Sequence, residues 1–197
     1  MFAERLRAQA AERCALAPGD RLAVGTSGGV DSTVLFRSLI ALGFDAVAVY
    51  VHHGLRAEAA DEAAFVQDMA REEGAEAVVV RAPVGAGNRQ GEARRARYAA
   101  LAEAASSLGC TVIATGHTTT DQAETVLMAL VRGAGLRGLA GMAPRRPLDA
   151  ADPGGLALLR PLLWATRAEV EAEARARGWA WREDASNAGD AYRRNRI

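Results

Sequence analysis

The chain has 197 residues, half of them hydrophobic, and its 24 arginines are balanced by 24 acidic residues, a composition ordinary for one large globular domain. No lysine occurs anywhere, which excludes the Walker-type phosphate loop, whose lysine reaches the β- and γ-phosphates. No apolar run approaches the roughly 18 residues of a membrane span and the N-terminus lacks an apolar signal core, so a cytoplasmic protein is expected.

In chain order, Met1–Ala17 reads as an N-terminal helix; residues 1–19 are expected to pack on a domain formed by residues 20–197. Arg21–Ser27 reads as a strand, followed by a helix near Asp31–Leu42. The alternation continues with a strand at Ala46–His52, a helix over about Ala57–Glu73, a strand at Glu76–Val84 and a long helix at Gly91–Ser107. Thr111–His117 is the fourth strand, leading into a helix near Asp121–Arg132. Leu136–Gly155, rich in Gly and Pro, reads as a mobile surface loop. Leu156–Leu163 is a fifth strand, Thr166–Arg177 an amphipathic helix, and the basic tail Arg193–Ile197 looks cut rather than finished. Nearly continuous apolar strands imply burial on both faces, hence an α/β fold: a doubly wound, mostly parallel five-stranded sheet with helices on both faces. Ligands of such sheets bind beyond the carboxyl ends of the strands, where Ser27, His52, Val84 and His117 fall.

Those ends carry the unusual residues. In Thr26–Thr33 (TSGGVDST), Gly28 and Gly29 let the backbone turn tightly against an anion, and the amides of the next helix point at it. The hydroxyls of Ser27 and Ser32 add donors, while Asp31 among phosphates implies an intervening cation, Mg²⁺. A capped helix after a glycine turn is the bland alternative. His52 and His53 can bind phosphate or metal, or serve as hydrogen-bonding structure. Asp121 and Glu124, three apart, share a helical face that can receive a cation or simply complement the helix dipole. The run Glu92–Tyr98 is a solvated arginine face or, through Arg94 and Arg97, a phosphate or base contact. Glu183–Asn187 reads as a turn, and the arginines at 193, 194 and 196 as a contact for nucleic-acid phosphate. Cys14 and Cys110 form no C-x-x-C pair and read as buried reduced thiols.

The segment Ser27-Gly28-Gly29-Val30-Asp31-Ser32 resembles the signature of the PP-loop ATP pyrophosphatases, which cleave ATP between the α- and β-phosphates and adenylate an oxygen. With VHHGLR, EARRARY, GHTTTDQAET and EDASN…YRRNRI in that order, the chain resembles the N-terminal catalytic domain of the tRNA(Ile)-lysidine synthetase family. The resemblance implies an ATP-dependent ligase that adenylates C2–O of the wobble cytidine of tRNA(Ile) with a CAU anticodon, and then lets L-lysine displace AMP. By that carry-over Ser27, Gly28, Gly29, Val30, Asp31 and Ser32, together with His52, Gly116 and His117, hold ATP. Asp31 carries Mg²⁺ and assists adenylation, Asp121 and Glu124 receive lysine's ammonium, and Arg97 contributes to the lysine or the nucleotide site. The family resemblance also suggests a homodimer, with further C-terminal domains in larger members that grip the tRNA acceptor stem. Thr120 stands where the family usually has the first of two adjacent acids. A tRNA thiolase of the same superfamily and an ATP-sensing domain that does not cleave ATP are the competing readings.

Overall fold

Strand residues in this chain alternate between two apolar layers. Leu22 and Val24 pack into one and Ala23 into the other; Val112, Ala114 and Ile113 repeat the pattern, as do Ala157, Leu159 and Leu158. Period-two burial on both faces requires a sheet covered by helices on each side. The computed structural model describes residues 1–52, 59–82, 89–149 and 155–183. The sequence features at His53–Arg56, Val84, 184–187 and 193–197 lie outside the described residues.

The elements are α1 (Phe2–Glu12), β1 (Arg21–Gly25), α2 (Val30–Ala41), β2 (Asp45–His52), α3 (Ala59–Glu72), β3 (Ala77–Arg81) and α4 (Arg89–Ser107), then β4 (Val112–Thr115), α5 (Thr119–Val131), α6 (Leu136–Leu139), β5 (Arg145–Pro147), β6 (Ala157–Leu159) and α7 (Arg167–Ala176). The sheet runs β3-β2-β1-β4-β6-β5, parallel except for β5. One layer is packed by α1, α2, α3 and α7, through Leu6, Leu35, Phe36, Val66 and Val170 among others, and the opposite layer by α4 through Leu101, Ala104 and Ala105. The chain leaves β1 toward β2 on one side and returns to β4 on the other, so strand order reverses between β1 and β4. A cleft opens beyond the strand ends at such a reversal.

The doubly wound α/β class is as the sequence implies, but the sheet has six strands rather than five. The extra strand, β5, lies inside the stretch expected to be a mobile loop, and so does α6. That stretch is pinned at several points. The Gln122 side-chain amide donates to the Met142 carbonyl (3.1 Å) and accepts from the Met142 amide (2.7 Å). The Arg145 guanidinium donates to the Cys14 carbonyl (2.7 Å), and the Arg160 amide to the Pro144 carbonyl (2.8 Å). Three residues reading Arg-Arg-Pro carry no hydrophobic alternation, and a proline fits a sheet only at its edge, which is where β5 lies.

Candidate active site

β1 delivers the phosphate-loop sequence to the reversal point. Gly28 turns with φ +83°, and α2 then starts at Val30, whose side chain is fully buried in the core and anchors the helix. Gly29 occupies the N-cap position without a side-chain cap, leaving the first amides of α2 open. The two serines of the loop hold one another: Ser27 Oγ lies 3.3 Å from Ser32 Oγ, Ser32 Oγ accepts from the Ser27 amide (3.1 Å), and it donates to the Gly29 carbonyl (3.0 Å). These hydroxyls and amides converge on one small volume, which an oxyanion can fill.

The cleft they border holds about 610 Å³. Of the residues expected from sequence, its walls include Ser27, Gly29, Asp31, Ser32, Arg97, Gly116, His117, Asp121 and Glu124. Gly28, Val30 and His52 are not in its walls. Gly28 serves through its backbone, its carbonyl accepting from the Arg182 amide (2.9 Å) and the Thr33 hydroxyl (3.3 Å). His52 ends β2 and its carbonyl accepts from the Ala82 amide. A side chain at 116 would place Cβ 2.9 Å from the backbone C and O of Asp31 and 3.0 Å from the amide N of Ser32, so the β4 loop rests directly on the first turn of α2. Glycine there is demanded by that approach, whether or not its backbone also touches a ligand.

Asp31 sits in this contact zone. Its Oδ2 accepts from Arg167 Nη1 at 2.6 Å, while its Oδ1 is buried with no hydrogen-bond partner. Burial pushes its carboxyl up to about 6; Arg167 opposes the rise and the negative charge of Asp121 adds to it. A buried, unpartnered carboxylate oxygen beside a phosphate-shaped cradle fits a hard cation such as Mg²⁺. No group of three or more His, Cys, Asp or Glu suited to a metal occurs among the described residues. One carboxylate plus nucleotide phosphates is how Mg²⁺ is commonly held.

Across the cleft, α5 is capped differently. Asp121 Oδ2 accepts from the Thr118 amide (2.8 Å) and hydroxyl (2.9 Å). Glu124, one turn further, is exposed at the wall. His117 Nδ1 lies 2.8 Å from Thr115 Oγ1, which in turn is 3.3 Å from the Leu159 carbonyl. With the hydroxyl donated to that carbonyl, Nδ1 bears the ring proton and Nε2 is an acceptor. Burial, then the charge of Arg160, draws the His117 pKa down to about 4, so the ring is neutral at pH 7. Burial also lowers the Arg97 pKa, with Tyr98 opposing and neighbouring Arg94 adding.

Three charged wall residues escaped the sequence reading: Arg167, Arg182 and Glu62. Arg167 follows the N-cap Thr166, whose hydroxyl accepts from the Glu169 amide (3.2 Å) in a T-x-x-E capping box visible in the sequence. Its partner Asp31 lies 136 positions away, and no local pattern announces that pairing. The departure at Thr120 belongs to the same corner, where its hydroxyl accepts from the Arg167 amide (3.3 Å). Cys14 and Cys110 are free and buried, lie in opposite core layers and do not line the cleft.

The PP-loop domain model matches residues 2–197. Three curated relatives are each called tRNA(Ile)-lysidine synthase. The one from Solibacter usitatus is 44% identical over 92% of this chain and 40% of its own length. The Symbiobacterium thermophilum protein is 43% identical over 98% and 41%, and the Salinispora tropica protein 47% identical over 91% and 54%. The chain thus spans about two fifths to just over half the length of these relatives. Among solved structures, the U34-tRNA thiolase NcsA of Methanococcus maripaludis superposes with a TM-score of 0.75 at 22% identity, covering 92% of this chain and 66% of that one. NMN synthetase of Francisella tularensis gives 0.63 at 11% identity, covering 91% and 70%. At those identities the two structures speak to the fold alone.

Proposed function

The chain belongs to the PP-loop domain family, and on that premise we propose that it is the catalytic part of a tRNA(Ile)-lysidine synthase. The observation that carries the reading is the pairing, in one cleft, of an uncapped helix end bearing Asp31 with the carboxylates Asp121 and Glu124 opposite. The first suits a nucleotide triphosphate, the second an ammonium group. The identity of 43–47% to the three relatives named above points the same way.

In the proposed reaction, O2 of the wobble cytidine attacks the α-phosphorus of ATP. The bond to the bridging oxygen breaks and pyrophosphate leaves. The amine of L-lysine then adds at C2, the C2–O bond breaks, AMP departs with the cytidine oxygen, and the amine proton is released. Ser27, Ser32 and the α2 amides hold the phosphates, and Asp31 Oδ1 would hold Mg²⁺, which supplies charge neutralisation there. Asp121 and Glu124 take lysine's ammonium, and Arg97 faces the phosphates or the base. A ring with a pKa near 4 does not hold a second proton at neutral pH, so His117, with its one proton on Nδ1, orients a donor at Nε2 rather than acting as a lasting base.

A persulfide-based thiolase reading is disfavoured by the placement of Cys14 and Cys110, whose pKa values burial raises. A cytoplasmic homodimer remains part of the proposal; no described helix is long and apolar enough to cross a membrane. Leu127, Leu130, Val131 and Leu136 expose an apolar row on α5 and α6 that a second copy would cover. The test combines ATP, Mg²⁺, labelled lysine and tRNA(Ile), followed by mass spectrometry of the wobble nucleoside. Pyrophosphate release with lysine on the base is expected. Sulfur incorporation, or ATP bound without turnover, would overturn the reading.

A further inference from the structure

A second concavity, of about 390 Å³, opens between α4 and the edge strand β5. Arg94, Arg95 and Arg146 stand around a floor of Tyr98, Ala102 and Leu148. Residues 94, 95, 98 and 102 recur at helical spacing, so α4 presents them on one face. The floor is firm, because Tyr98, Ala102 and Leu148 pack on the core layer beneath. The Arg94 guanidinium lies 5.1 Å from the centre of the Tyr98 ring, and Arg146 Nη1 donates to the Pro147 and Leu148 carbonyls (2.7 and 3.0 Å), which fixes its side chain at the rim. No carboxylate is among the described residues lining the groove, and none of the three arginines forms an ion pair with a described acid. Arg94 also lines the active cleft, so groove and cleft share a wall.

We infer that this groove binds the single-stranded nucleotides flanking the reacting base, with guanidinium groups on the phosphates and the Tyr98 ring against a neighbouring base. The inference rests on the proposed RNA substrate. A base that reaches the cleft must leave its stack, and its neighbours then need a charged path with a stacking platform beside the cleft. A concave groove with an aromatic floor suits that chain better than a flat lipid surface or an acidic peptide, neither of which needs continuity with a reaction cleft.

The test uses Arg95→Ala, Arg146→Ala and Tyr98→Leu, none of which alters a residue of the active cleft. Binding to a stem-loop RNA carrying the CAU anticodon is followed by fluorescence anisotropy over a range of salt. Affinity for a non-hydrolysable ATP analogue reports that the fold and cleft persist. Each arginine variant is expected to lower the slope of log K against log salt by about 1. Tyr98→Leu should weaken binding roughly tenfold with little change in that slope. Unchanged RNA binding in the three variants, or no RNA binding by the native chain, overturns the groove. So does equal competition from fully duplex RNA, poly-glutamate or anionic vesicles. RNA binding that depends on the groove without RNA-stimulated pyrophosphate release would instead sink the proposed reaction while leaving the groove standing.

Discussion

Two helices begin at the strand-order reversal, α2 and α5, and each carries an aspartate in its first turn, yet the two ends are built in opposite ways. At α5 the acid closes its own helix: Asp121 Oδ2 takes both the amide and the hydroxyl of Thr118. At α2 the N-cap is Gly29 and Asp31 caps nothing; one of its oxygens meets Arg167 and the other is buried without a partner. A helix end whose amides are free attracts an anion, whereas one already satisfied by a carboxylate does not. On this contrast rests the proposed placing of the phosphates at α2 and of an ammonium group against Asp121 and Glu124 at α5.

The largest effect should come from removing the α2 charge. Asp31→Asn keeps the shape but loses the anionic ligand, and pyrophosphate release is expected to fall by about 10²-fold or more. Stability should respond in the other sense. The Asp31 carboxyl sits at about 6 against an ordinary 3.8, so the folded state binds the proton more tightly than the unfolded chain. That contribution is fully present below about pH 4 and is lost as pH rises through about 6. Its ceiling is about 3 kcal/mol, lessened because the side chain keeps 22% exposure. Urea unfolding at pH 4, 5, 6 and 7 should show the native chain weakening relative to Asp31→Asn on the way up; parallel profiles would contradict a strained α2 end.

Gly116→Ala probes the contact between the β4 loop and α2, since the added Cβ meets backbone at 2.9 Å. Overpacking of this kind costs about 1–3 kcal/mol. Because the displaced atoms belong to Asp31 and Ser32, affinity for an ATP analogue should fall along with the urea midpoint. A lower midpoint with unchanged nucleotide affinity would mean that the phosphate cradle does not depend on that loop.

The same contrast explains what could be read from the sequence. The phosphate loop and the four strands that precede β6 in the parallel sheet declare themselves through glycine placement and continuous apolar runs, signals confined to a few neighbouring residues. Asp121 was open to two readings because a first-turn acid looks the same whether it caps a helix or faces a ligand; the structure gives one of its oxygens to the cap. What stayed illegible depends on pairing at long range. β5 exists because Arg146 and Pro147 find Leu158 and Ala157, and Arg167 matters because α7 begins beside α2. Gly116 resembles a ligand-binding glycine in sequence, while its steric demand comes from the first turn of α2, at Asp31 and Ser32, far back along the chain.

On the α5 side smaller effects are expected, and they separate charge from capping. Glu124 is exposed, so Glu124→Gln should leave stability within a few tenths of a kcal/mol. The KM for lysine should rise up to about fivefold, the range of an exposed ion pair, with the KM for ATP unchanged. Asp121→Asn removes a charge that is also hydrogen-bonded, so a rise nearer tenfold is expected. If both variants instead raise the KM for ATP, the assignment of the two helix ends is reversed.

The gentlest cut is Thr118→Ala. It deletes one of the two donors that hold Asp121 Oδ2, a hydroxyl at 2.9 Å, and leaves the backbone amide at 2.8 Å. Loss of an N-cap side chain costs about 1 kcal/mol, measurable as a lower urea midpoint. The kinetic consequence is the discriminating one. If Asp121 works only as a cap, freeing its carboxylate changes stability and nothing else. If it also receives lysine, a carboxylate no longer held by the hydroxyl samples more rotamers, and the KM for lysine should shift about twofold while that for ATP stays put, an effect at the lower end of a single hydrogen bond. An unmoved lysine KM, beside a lowered midpoint, would leave Glu124 as the residue that meets the ammonium and return Asp121 to purely structural duty.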